Sequence, residues 1–341
     1  MSTNNLNLYD CSWINTSELE NSTILITGGT GLVGYNILQE LTKISEDKNI
    51  RILALVRDEN KAKEKFKNLS APITLIVGDV QDELSINDPI HYIIHGANIT
   101  SSRTFVEQPV ETIMTAVQGT KNMLELAKSK KVRAMVYLSS MEVYGAVNEE
   151  KVLTEADIGY VNPLNLRSSY PESKRLCETL CVSYASEYGV NVSVARLVQT
   201  FGPGIPSTDR RVIIQFIQSA VKNENIEIKA SGESSRMYLY TFDAVTALLT
   251  LLLKGEGGKA YNIANKSTYC SIKDLAKIIL EIKNASSTVL TNTGSEEERK
   301  IYPPDSYLYL DVSELENLGW TPMFSLTDGL LNLINDLEDN N

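Results

Sequence analysis

The stretch TILITGGTGLVGYNILQEL, Thr23 to Leu41, limits what this chain can fold into more than any other. A short apolar and β-branched run reads as a buried strand, glycines follow at Gly28, Gly31 and Gly34, and an amphipathic pattern then opens. A glycine spacing alone says little. Between a strand and a helix, it describes a tight turn that delivers the backbone to a helix N-terminus, where a pyrophosphate binds. Gly28, Thr30, Gly31, Leu32, Val33 and Gly34 are therefore the candidate residues for the diphosphate of a dinucleotide.

The same alternation continues along the chain. IRILALV (50–56), ITLIVGD (73–79), HYIIHGA (91–97), RAMVYLSS (133–140) and NVSVARL (191–197) read as buried strands, and helical patterns such as 119–130 and 173–189 lie between them. Strand and helix in strict turn predict an α/β fold, a doubly wound parallel (Rossmann) sheet with a smaller C-terminal α/β substrate-binding domain. We expect residues 1–190 to form the dinucleotide-binding domain and 191–341 mainly the substrate-binding domain. Segments near 191–200 and 259–265 return to the sheet. Helices are expected near 211–223 and 271–283, and the acidic tail NDLEDNN is expected to fray.

Charge and composition narrow the partners. Lysine and arginine number 32 against 43 aspartates and glutamates, a net charge of −11 that opposes broad contact with nucleic acid or an anionic membrane. No run is apolar for long enough to span a bilayer, and the start, MSTNNLNLYDCSW, lacks the order of a signal peptide, so a cytoplasmic protein is expected. Cys177 and Cys181 stand one helical turn apart, but the only histidines, His91 and His95, lie far off in sequence. Buried apolar cysteines are expected rather than a metal site.

The tip of the second strand bears on the cofactor. A carboxylate there binds the 2′-hydroxyl of an NAD ribose, whereas LALVRDEN places Arg57 after Val56. Arginine pairs with a 2′-phosphate, which favours NADP over NAD; Asp58 remains the alternative, as a ribose ligand. Asp79 and Val80, ending the third strand, are placed to touch the adenine.

SSMEVYG (139–145) and YPESK (170–174) hold the candidate chemistry. Residues four apart on a helix share a face, so Tyr170 and Lys174 can point into one site, and Pro171 suits the first turn. A tyrosine of pKa near 10 is a poor base at neutral pH, but a lysine cation and a nicotinium ring both favour its phenolate. Tyr170 can then take a proton from a substrate hydroxyl, with Ser140 available as a hydrogen-bond partner of the same oxygen.

TGxxGxxG, SSxxxYG and YxxxK, in this order, resemble the extended short-chain dehydrogenases, in their NAD-dependent epimerase/dehydratase branch. HGAN (95–98), ARLVQTFGPG (195–204), RMYLYTFDAV (236–245) and LENLGWTP (315–322) extend the resemblance over nearly the whole chain. It implies a nucleoside-diphosphate sugar as substrate, oxidised transiently at C4 with Tyr170 as base and Lys174 on the nicotinamide ribose. In the family's 4,6-dehydratases a glutamate in the place of Glu142 removes the C5 hydrogen, and a neighbouring residue, often aspartate, helps expel the C6 hydroxyl. Some dehydratases and uronic-acid decarboxylases resemble the chain more closely, with a small polar residue where Met141 stands. Glu142 tilts the chain toward dehydratase or decarboxylase chemistry and Met141 toward an epimerase.

The resemblance further implies that Gln199, in place of an asparagine, and Arg236 hold the substrate's diphosphate. A second arginine usual near the C-terminus is a tyrosine in DSYLYLD (305–311), leaving Arg299 as a distant candidate, and Ala116 replaces a common asparagine. Two subunits are implied to pair through helices around 107–127 and 170–188 as a four-helix bundle. The alternatives are an NADPH-dependent reductase of a keto-sugar nucleotide and a non-catalytic NADP sensor. A sensor needs only the glycine turn, so retention of Ser140, Tyr170 and Lys174 speaks against it.

Overall fold

A computed structural model of the chain describes residues 8–147, 150–295 and 305–339. Seven parallel strands form the central sheet: β1 (Thr23–Thr27), β2 (Arg51–Val56), β3 (Thr74–Val77), β4 (Tyr92–His95), β5 (Ala134–Ser140), β6 (Val192–Leu197) and β7 (Ala260–Ile263). Their order is β7-β6-β5-β4-β1-β2-β3. The chain leaves β1 in one direction for β2 and β3 and in the other for β4 onward. The crevice beyond the carboxyl ends of β1 and β4 is therefore the topological switch point, the usual binding place in open sheets of this kind.

Helices cover both faces, as parallel strands require. They are α1 (Leu32–Ser45), α2 (Glu59–Phe66), α3 (Ser102–Glu107), α4 (Pro109–Lys130), α5 (Ser169–Tyr188), α6 (Val212–Val221), α7 (Thr241–Lys254) and α8 (Ile272–Lys283). Because strand side chains alternate, β1 divides between two cores: Ile24 and Ile26 join Ile37 and Leu38 of α1, whereas Leu25 joins Met123 and Leu124 of α4. Cys177 and Cys181 of α5 are buried in the second core, and the Cys177 thiol donates to the Ala116 carbonyl of α4 at 3.3 Å. That contact joins the two helices where an asparagine is common in the family.

Two sequence expectations fail here. The third strand was expected to be buried, but β3 is the sheet edge, has one neighbour, and leaves Val77 58% exposed. The acidic tail was expected to fray; residues 335–339 instead end a helix, Leu326–Asp339, whose Leu330, Leu333 and Leu337, at helical spacing, are buried, and residues 340–341 lie outside the described residues. Of its charges, Glu338 and Asp339 are exposed, whereas Asp336 accepts the Gly204 N–H at 2.8 Å.

Smaller sheets stand beyond the carboxyl edge. Ser235–Arg236 lies between Cys270–Ser271 and Tyr307–Leu310, which continues to Val152–Leu153, and Gln199–Phe201 pairs with Tyr238–Tyr240. Arg299 lies outside the described residues. Among the described residues no helix is long and apolar enough to cross a membrane, and no group of side chains could hold a metal ion.

Candidate active site

The turn after β1 closes only because glycine occupies it. Gly28 has a φ of 76°, and a Cβ there would lie 2.6 Å from the Gly96 carbonyl carbon; one on Gly34 would lie 2.3 Å from the Gly28 carbonyl oxygen. Gly31 caps α1 without any side-chain hydrogen bond, so the first turn, with Leu32 and Val33 beside Thr30, keeps backbone donors for an outside acceptor. A dinucleotide diphosphate fits this cradle.

At the adenine end, the Asp58 carboxylate accepts the Lys61 N–H at 2.9 Å and caps α2. Arg57 is largely exposed, with Asp79 as a loose partner at 3.8 Å. Asp79 accepts the Gln81 N–H at 2.9 Å. The Val80 side chain is buried against Gly119 of α4, where a Cβ would meet Val80 Cγ2 at 2.9 Å. Val80 can offer an adenine only its backbone.

The sheet brings the two catalytic stretches together. β5 ends at Ser140, whose hydroxyl oxygen accepts the Glu142 N–H at 3.3 Å to start a single 3-10 turn, Met141–Tyr144. The start of α5 lays Tyr170 beside it, with the Ser140 side chain near enough to favour the ionised phenol. Lys174, one turn on, donates from Nζ to the Leu138 carbonyl at 2.5 Å. The electrostatics differ from the sequence expectation. Burial pushes Tyr170 up to about 12, the Glu142 charge adds to this, and burial pulls Lys174 down to about 8. The ammonium also sits closer to the Tyr137 ring, at 4.7 Å, than to that of Tyr170, at 5.8 Å. Desolvation and the Glu142 charge outweigh the lowering by Ser140 and Arg167, so the free protein keeps this phenol protonated.

Two neighbours escaped the sequence reading. Arg167 holds Glu142 in a two-pronged ion pair, Nη1 to Oε2 at 2.8 Å and Nη2 to Oε1 at 2.9 Å. Its guanidinium lies 5.0 Å from the centre of the Phe105 ring, and that ring stacks on Tyr170 at 4.3 Å with 11° between planes. Glu142, Arg167, Phe105 and Tyr170 thus form one continuous stack. Arg167, just ahead of YPESK, was visible, but nothing local tied it to Glu142. Met141 packs against the apolar core.

Behind the site lies a buried polar network. Ser139 donates to Glu178 at 2.5 Å, and Arg196 binds the same carboxylate at 2.7 and 3.0 Å while donating to Tyr144 Oη at 3.1 Å. Tyr144 in turn donates to Asn262 at 2.6 Å, so β5, α5, β6 and β7 are tied together beneath Ser140.

Gln199 is paired in register with Tyr238, two residues past Arg236, which lies on a separate small sheet. Arg236 Nε is buried without a hydrogen-bond partner, as expected of a guanidinium built to receive an anion.

A glycine-built phosphate turn at the switch point, with a serine, tyrosine and lysine converging at the neighbouring strand end, defines a nicotinamide-dinucleotide enzyme of the extended short-chain dehydrogenase class. Residues 24–264 match the family described as the NAD dependent epimerase/dehydratase family, and the chain belongs to that family. It is 32% identical over 320 residues to UDP-glucuronic acid decarboxylase 6 of Arabidopsis thaliana, covering 91% of this chain and 87% of that one. To UDP-glucuronic acid decarboxylase 1 of Xenopus tropicalis it is 31% identical over 314 residues, 92% of this chain and 72% of that one. Its fold matches UDP-glucose 4-epimerase of Thermotoga maritima with a TM-score of 0.78 at 21% identity, covering 93% and 99% of the two chains. It also matches UDP-glucuronic acid 4-epimerase of Bacillus cereus, crystallised with NAD, with a TM-score of 0.75 at 20% identity and the same coverage.

Proposed function

We propose that this protein acts on a nucleoside-diphosphate sugar and removes the C6 carboxylate of a uronic-acid nucleotide. The observation that carries the reading is the meeting of Tyr170 and Glu142 around Ser140 with only a packed Met141 between the last two. The Gly28–Gly34 turn would hold the dinucleotide diphosphate and Lys174 the nicotinamide ribose, and the cofactor would supply reversible hydride acceptance at C4. Tyr170 takes the C4 hydroxyl proton, Ser140 steadies that oxygen, and Glu142 manages the proton at C5. Arg236 and Gln199 bind the diphosphate. Dehydration would require a second acid to expel the C6 hydroxyl, and Met141 has no proton to give. A 4-keto uronic acid loses CO2 without such help, and C5 then takes up one proton. The relatives at about 31% identity, named as UDP-glucuronic acid decarboxylases, support the same reading.

The Glu142–Arg167 pair favours one second reading, a C4 epimerase in which Glu142 is structural. Incubation with NAD and UDP-glucuronic acid in deuterated buffer separates the two. Release of CO2 with one solvent deuterium at C5 is expected; an isomer of unchanged mass and no deuterium would sink decarboxylation.

Two further proposals concern the cofactor and the assembly. With Asp58 engaged as a cap, the exposed Arg57, only loosely paired with Asp79 at 3.8 Å, is the group best placed to meet a 2′-phosphate, which supports NADP over NAD. Arg57→Ala should then weaken NADP about tenfold and leave NAD unchanged by fluorescence titration, since one charge-assisted phosphate contact is lost. Equal binding of both cofactors by the parent protein would refute the preference. Along α4 and α5, Val110 is 72% exposed, and Ile113, Met114, Leu176 and Val182 are also exposed. Such a face supports the pairing of two copies as a four-helix bundle. Light scattering at micromolar concentration should give a dimer, and a monomer would count against it.

A further inference from the structure

The Glu142–Arg167 pair has more to say about substrate choice. A guanidinium fork binds one carboxylate in plane, and that of Arg167 is filled by Glu142 at 2.8 and 2.9 Å. The pair is not sealed in the core, because the side chains of Arg167 and Glu142 keep 40% and 30% of their exposure. Its position relative to the reacting centre is nonetheless fixed. Arg167 lies on Phe105, Phe105 lies flat on Tyr170, and the Phe105 carbonyl accepts the Ser169 hydroxyl at 2.9 Å, which fastens α3 to the start of α5. Arg167 is thus a rigid carboxylate receptor on the far side of one ring from the catalytic phenol. Arg236 stands on a separate small sheet, among Cys270–Ser271 and the Tyr307–Leu310 strand.

We propose that Arg167 is the receptor for the sugar carboxylate of the substrate, and that Glu142 occupies this receptor in the free protein. A uronic-acid nucleotide exchanges its own carboxylate into the fork, which fixes the sugar and releases Glu142 toward C5. A neutral sugar cannot make this exchange and leaves Glu142 locked. Arg167 therefore determines specificity and, through Glu142, positions a proton carrier. The inference rests on the uronic-acid reading above, and the test separates the failure of one from the failure of the other.

The probe ligands are UDP-glucuronic acid and UDP-glucose, which differ at C6 by carboxylate against hydroxymethyl. Dissociation constants are measured by calorimetry on the full-length, cofactor-loaded protein in a Tyr170→Phe background that prevents turnover. Because Glu142 must give up the same fork, the parent should prefer the uronic acid by only about threefold to tenfold, less than the full value of a charge-assisted pair. Arg167→Gln should erase that ratio while holding UDP-glucose affinity within about twofold, and Glu142→Gln, which removes the internal occupant, should enlarge it. A preference that survives Arg167→Gln overturns the receptor and leaves the uronic-acid reading standing. Equal weakening of both ligands by Arg167→Gln, or a smaller ratio in Glu142→Gln, also overturns it. No preference in either the parent or Glu142→Gln overturns the receptor, whereas failure of the protein with Tyr170 intact to release CO2 from UDP-glucuronic acid refutes the uronic-acid reading itself.

Discussion

Tyr170→Phe is expected to lower turnover of the nucleotide sugar by about 10²–10⁴-fold, the usual value of a positioned acid–base group. Cofactor affinity should stay within about twofold. The ring is buried and stacked on Phe105, and phenylalanine keeps that stack, so the change removes only the hydroxyl. The same substitution tests the electrostatics. With Tyr170 pushed up to about 12, the free parent should show no tyrosinate absorbance from this residue near neutral pH, in difference against Tyr170→Phe. Saturating oxidised cofactor should move that signal to lower pH, because a positive ring then faces the phenol. Loss of cofactor binding in the variant, or unchanged turnover, would show that Tyr170 has another role.

Arg196→Met should have the largest effect on stability, about 3–5 kcal/mol, because it leaves a buried carboxylate without its counter-charge. Arg196 and Glu178 are both buried, and the guanidinium also donates to Tyr144 Oη and to the Glu155 carbonyl at 2.8 Å. Without it, Ser139 is the remaining donor to Glu178 in the network described. Urea denaturation should show a lower midpoint at unchanged slope. Removing both charges, in Arg196→Met with Glu178→Leu, should cost less than the single change, because the orphaned charge goes too. A single-variant loss below about 1 kcal/mol would mean that water reaches the carboxylate and the network is no core element. Because Ser139 precedes Ser140, turnover should fall along with stability.

Much of this protein was legible in the sequence, for local reasons. A strand, three spaced glycines and a helix have one economical arrangement around a phosphate, and Gly28 and Gly34 show why, since neither position has room for a Cβ. Tyr170 and Lys174 share a face because a helix turns every 3.6 residues. The parallel sheet followed from strict alternation, as each strand pattern needs a covering helix on either side.

What the sequence left open depended on partners brought close only by the sheet order. Val77 is exposed because β3 ends the sheet, a fact that no property of ITLIVGD contains. Lys174 favours the phenolate in principle, yet its burial pulls its own charge down and directs Nζ to Leu138. Glu142 and Arg167 are 25 residues apart, and Ser139 and Glu178 are 39 apart; each pair meets because β5 and α5 lie side by side. Periodicity and steric limits act within a few residues and can be read in order along a chain. Desolvation and ion pairing act through space, and only the folded sheet decides which charges share it.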